Sequence, residues 1–173
     1  MVLVAVACAQ APARAEVTSS GTDGFAMKID LPVAAPPDRV FERFLEIGRW
    51  WSDEHTYSGH ASNMTLRNEP GGCFCETLPN GGFIRHAAIE YSDPGKALYL
   101  SGALGPLLTL GAHGLLAVQF KAEGEGSRLV ATYVVSGFPQ GKGFAELAPL
   151  VDQVLLEQFT RLKRYVETGR PGA

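Results

Sequence analysis

Residues 49–59, RWWSDEHTYSG, bring two tryptophans, a histidine and a tyrosine into one short stretch. These are side chains that can both line a pocket and contact a ligand. Neighbouring residues diverge, so one of Trp50 and Trp51 is expected to pack in the core. The other should roof a cavity, with its indole N–H needing a partner. His55, Tyr57 and His60 follow in a loop, and two histidines without a third ligand make a poor metal site. The stretch reads as a pocket lip, with core packing as the competing reading.

A second group lies further along, where Cys73, Phe74, Cys75 and Glu76 precede Asn80-Gly81, and Arg85 and His86 follow it. Asn-Gly is a strong hairpin signal. A two-residue loop there would set Glu76 opposite Arg85 and Cys75 opposite His86. A two-residue loop at Pro94-Gly95 would set Ile89 opposite Leu100. The oilier face then carries Phe74, Glu76, Phe83, Arg85, Ala87 and Tyr91, and it is expected to look inward, unless a β-bulge reverses it locally. Glu76 and Arg85 would orient a polar head group inside an apolar cup, or form a cross-strand ion pair near the edge. Positions i and i+2 of a strand lie about 6.5–7 Å apart, at the limit for a disulfide, so free thiols are expected at Cys73 and Cys75. Cys73, Cys75 and His86 would share a face, three candidate ligands for a soft metal, but C-x-C is not the usual zinc spacing. Thiols acting as small hydrophobes are the expected outcome, and no metal is expected.

These groups need a frame. Phe25, Met27, Ile29, Leu31 and Val33 alternate as in a half-buried strand. Pro36-Pro37-Asp38 opens a helix whose apolar residues run from Val40 to Ile47, with Gly48 as its stop. Residues 64–137 read as a meander of strands and turns, including strands near 114–121 and 127–136. Leu147 to Val166 then repeats apolar residues at helical spacing, with Gly169 as a cap and Pro171 beyond. Sequential hairpins make an antiparallel sheet whose apolar face must be covered, and the last helix is long enough to cover it. The class is α+β, in one domain at residues 25–169.

In this order of elements the chain resembles the START/Bet v 1-like superfamily (SRPBCC), in particular its bacterial branch akin to Hsp90-ATPase-activator-homologue and polyketide-cyclase domains. The resemblance rests on FAMKIDLPVAAPPDRVFERFLEIGRWW, PGGCFCETLPNGG, SGALGPL and the closing helix, and spans about residues 25–168. It implies a helix-grip fold, a curved antiparallel sheet wrapped around the C-terminal helix with a cavity between them. It implies no particular reaction.

The formal charge of −3 comes without a basic run, which speaks against a nucleic-acid partner. Val2 to Ala9 is apolar and Ala13-Arg14-Ala15 has the form of a signal-peptidase site, although no basic residue precedes the run. Residues 1–15 are therefore expected to be a signal peptide, 16–24 a flexible lead-in, and the location periplasmic or secreted. The apolar run is too short for stable membrane insertion. Nucleophile elbow, HExxH, P-loop and dinucleotide fingerprint are all missing, so neither a cofactor nor a catalytic residue is assigned. The expected function is binding of a small apolar or amphipathic molecule by Trp50, Trp51, His55, Tyr57, Phe74, Glu76, Arg85 and Leu107. One alternative is a cyclase- or hydrolase-like enzyme using Glu76 with His55, His86 or His113 as acid or base. The other is an interaction module acting through the apolar loop 103–113.

Overall fold

The period-two pattern of Gly24–Val33 (β2) buries Phe25, Met27, Ile29 and Leu31 on one face. The computed structural model describes residues 14–138 and 143–172. Around β2 are the strands Arg14–Gly21 (β1), Met64–Leu66 (β3), Cys73–Thr77 (β4) and Phe83–Asp93 (β5). Ala97–Ser101 (β6), His113–Glu123 (β7) and Gly126–Ser136 (β8) complete an antiparallel sheet of eight strands, in the order β1-β2-β8-β7-β6-β5-β4-β3. Two helices, Pro37–Leu45 (α1) and Ala148–Thr168 (α2), cover its inner face. The α+β reading and the long closing helix hold, and Gly169 caps α2 in the left-handed conformation at φ +78°.

The C-terminal half of α2 is packed solid. Phe159, Leu162 and Tyr165 are buried with Val40, Phe41 and Phe44 of α1, and Phe120 meets Phe41 and Phe44 edge-on at 5.4 and 5.8 Å. A polar clasp closes this end: Arg43 donates to Glu46 at 2.8 Å and to the Tyr165 hydroxyl at 3.0 Å, and Tyr165 donates to Glu46. The N-terminal half of α2 extends past α1 and stands over the sheet without that filler.

Several expectations change. Residues 16–24 are not a loose lead-in. Most of them form β1, which pairs with β2 from Arg14↔Asp30 to Gly21↔Gly24, with Ala15 and Val17 packed against the core. An edge strand needs only one apolar face, so the polar run EVTSSG suffices. The Ala15–Glu16 bond lies inside that strand, and residues 1–13 of the expected signal peptide lie outside the described residues. Gly48 is not the helix stop either, since α1 ends at Leu45. A Cβ at Gly48 would lie 2.7 Å from the Met64 carbonyl oxygen, so glycine is needed there for close approach.

Neither hairpin loop has two residues. Asp93 pairs with Ala97, leaving residues 94–96 as a three-residue loop. Leu78 donates to the Gly82 carbonyl at 2.9 Å, so Pro79, Asn80 and Gly81 form another, with Gly81 at φ +82°. Each slip of one residue is then undone by a bulge. In β5, His86 is the extra residue between the pairs Cys75↔Arg85 and Phe74↔Ala87, and Glu90 is the extra residue between Tyr91↔Tyr99 and Ile89↔Leu100. Between each loop and its bulge the faces of β5 are the reverse of those expected, whereas Glu76 and Leu98 on the neighbouring strands point inward as expected. Arg85, Phe83 and Tyr91 are exposed, and His86 is buried.

Where the register shifts, β4 also shortens. The Cα atoms of Cys73 and Cys75 are 5.5 Å apart, and the two residues form a disulfide rather than free thiols. That separation lies inside the range for a disulfide, which a fully extended strand would only just reach. A Cys73–Cys75–His86 metal cluster is thereby excluded, because both sulfurs are bonded to each other.

Candidate ligand cavity

The unfilled space under the N-terminal half of α2 is a cavity of about 490 Å³. Leu147, Leu150, Val151, Val154 and Leu155 of α2 form one wall. The apolar loop supplies a second through Leu104, Pro106 and Leu107, and residues 51–57 supply a third. Phe74 and His86 of the sheet close the deep end.

The tryptophans divide as their adjacency requires. Trp50 is fully buried in the core, donating to the Phe44 carbonyl at 3.1 Å, and does not line the cavity. Trp51 lines it and donates to the His55 carbonyl at 2.9 Å, bracing the lip. Tyr57 reaches across to the apolar loop, its hydroxyl donating to the Gly105 carbonyl at 2.8 Å. Leu107 is buried as part of the wall. The start of this loop is pinned by Tyr133, whose hydroxyl donates to Gly102 at 3.0 Å and accepts from the Leu104 amide at 3.1 Å. Burial pushes the Tyr133 phenol up to about 12, against the opposing bond from Leu104, so the hydroxyl keeps its proton.

The bulge places Glu76 against His86 rather than Arg85. Glu76 Oε2 lies 2.9 Å from His86 Nε2, with both side chains buried. The Ser58 amide donates to the other carboxylate oxygen. Burial by itself would raise the Glu76 pKa. Hydrogen bonds from Ser58, from the Tyr57 amide and from His86 outweigh it and hold the carboxyl below its usual range. Burial lowers the His86 pKa, and the pull of Glu76 in the other direction does not restore it. At neutral pH the pair is thus a carboxylate and a neutral imidazole, with Nε2–H donating to Glu76. Phe74 stacks on the ring at 4.5 Å and Tyr57 is tilted toward it at 5.9 Å. Nδ1 has no hydrogen-bond partner among the described residues, and it is not among their fully enclosed unpartnered atoms.

His55 sits at the mouth, 3.4 Å from the Glu157 carboxylate and partly exposed. His113 faces Ser101 on the exposed side, and His60 is exposed. Of the acid–base pairings considered from sequence, the fold assembles only Glu76 with His86. Sequence reasoning missed Glu157 and Gln158. Gln158 is fully buried and accepts the Ser52 amide at 2.8 Å, tying the lip to α2. Its signal was legible as one polar residue within the apolar stripe of the helix.

No family model matches the sequence, and no curated protein matches it. Solved structures do match. An uncharacterised protein from Rhizobium leguminosarum is 22% identical, with TM-score 0.59 over 91% of this chain and 99% of its own. CalU16 from Micromonospora echinospora is 13% identical, with TM-score 0.55 over 94% of both chains. The di-domain ARO/CYC StfQ from the steffimycin biosynthetic pathway is 16% identical, with TM-score 0.57 over 88% of this chain and 53% of its own. The likeness is one of fold, an antiparallel sheet with a C-terminal helix packed in its grip.

Proposed function

We propose that the protein holds a small apolar or amphipathic molecule in the cavity between its sheet and α2. The observation that carries this reading is the cavity itself. Its volume of about 490 Å³ and its mostly apolar walls, with His86 Nδ1 unpartnered among the described residues, suit a small-molecule site. The apolar content of the 103–113 loop goes largely into that wall, through Leu104 and Leu107, which weakens the interaction-module alternative. Export to the periplasm or the medium is part of the proposal. It draws support from the A-x-A site and from the disulfide, a bond that persists in oxidising compartments. N-terminal sequencing of the natural protein tests it, and an intact Met1 on cytosolic protein would refute it.

Titration with the apolar dye Nile red tests the cavity. Val154→Trp fills the space from α2 and should abolish saturable binding while the melt stays cooperative. Trp51→Ala should weaken the dye more than it lowers stability, whereas Trp50→Ala should cost about 3–5 kcal/mol of folding energy. Dye binding untouched by Val154→Trp would overturn the reading.

A second reading gains from the Glu76–His86 pair, since a carboxylate orienting a neutral imidazole is a general-base arrangement. On this reading the chain is an enzyme of the cyclase or hydrolase kind, as the ARO/CYC label of StfQ suggests by analogy of fold. Native mass spectrometry separates the two. A co-purifying molecule whose mass is unchanged on incubation supports binding, and conversion supports catalysis.

A further inference from the structure

The cavity wall is short of donors. Each described side chain lining the cavity that carries an N–H or O–H, apart from the histidines, already donates it to a backbone carbonyl. Trp51 donates to His55, Thr56 to Asp53, Tyr57 to Gly105 and Thr109 to Pro106. His86 spends its one proton on Glu76, and Nδ1 keeps a free lone pair. Among the described residues, no Lys or Arg lines the cavity. Carboxylates stand near it: Glu54 in the wall, Glu157 beside His55 at the mouth, and Glu76 behind His86.

From this polarity we infer that the site selects an apolar molecule bearing a neutral hydroxyl, which donates to His86 Nδ1, and discriminates against carboxylates. This rests on the cavity being a ligand site. A hydroxyl donor satisfies the imidazole nitrogen that the described residues leave without a partner at the deep end. An ether of the same shape leaves that acceptor buried and unpaired, which is the costly outcome. A carboxylate would enter an apolar space where no described lining residue is a Lys or Arg, in the field of Glu76.

Three fluorescent probes of one shape test the inference at neutral pH: 1-hydroxypyrene, 1-methoxypyrene and pyrene-1-carboxylate. The hydroxyl compound should bind about tenfold more tightly than the ether, the scale of one buried hydrogen bond. The carboxylate should bind more weakly than the ether. His86→Phe should erase the preference for hydroxyl over ether while the ether still binds. Should that variant fail to fold, the ranking on the wild-type protein still decides. Equal binding of the hydroxyl compound and the ether, or tightest binding of the carboxylate, would overturn the inference while leaving the cavity reading intact. If none of the three binds and Nile red does not bind either, both fail together.

Discussion

The protein holds two histidine–glutamate pairs at opposite ends of one cavity, and they differ in everything except residue type. At the deep end His86 and Glu76 are buried 2.9 Å apart, and backbone amides from the lip complete the carboxylate's shell. At the mouth His55 and Glu157 are 3.4 Å apart, partly in solvent. In water, two such groups gain little from meeting. Without water, each must be satisfied by the protein, and removing one strands the others. The deep pair is therefore both a structural knot and a defined chemical surface, and the mouth pair is neither.

The most severe break is Glu76→Ala. It leaves the Ser58 and Tyr57 amides and the His86 N–H without their acceptor, and it should cost about 3–5 kcal/mol by denaturant melts. A loss below about 1 kcal/mol would mean that water replaces the carboxylate and that the deep end is wet.

Acid should separate the pairs more gradually. The folded pKa of His86 lies below its ordinary value of 6.5, so the unfolded chain takes up the proton first. The stability this contributes is complete above that ordinary value, declines as pH falls below it, and is lost once pH has passed the folded pKa. Glu76, also lowered, adds a second loss as pH falls from 4.5 through its folded pKa. Melts across this range should show both limbs, and His86→Phe should remove the upper one. An unchanged upper limb in that variant would assign it elsewhere.

Reducing the Cys73–Cys75 disulfide, which lies on the strand carrying Glu76, should cost about 1.5 kcal/mol, because the loop it closes is short. If reduction also weakens binding of a hydroxyl probe, the bulge that seats His86 depends on the bond. Intact-mass analysis before and after reduction checks that the bond is present.

The mildest change is Glu157→Ala at the mouth. It should shift stability by less than about 0.5 kcal/mol, and less still in high salt. A loss comparable to that of Glu76→Ala would erase the contrast between the two ends.

Much of the frame could be read from the chain alone, because periodicity is local. The alternation in β2, the stripe along α2 and the glycine that caps it each need only a few neighbours. The division of labour between Trp50 and Trp51 followed from adjacency in the same way. What the chain could not decide was register. Asn80-Gly81 and Pro94-Gly95 announce turns, but one extra loop residue inverts the side chains of β5 up to the next bulge. Whether a bulge follows depends on how the sheet curves beneath α2, a property of all its strands together. That one-residue difference put His86 beside Glu76 and turned Arg85 outward. The Ser58 amide reached Glu76 from a loop 18 residues away. Strand and helix were set by local spacing. The polarity of the cavity came only from packing, because it depends on which groups are left without water and without partners once the walls have closed.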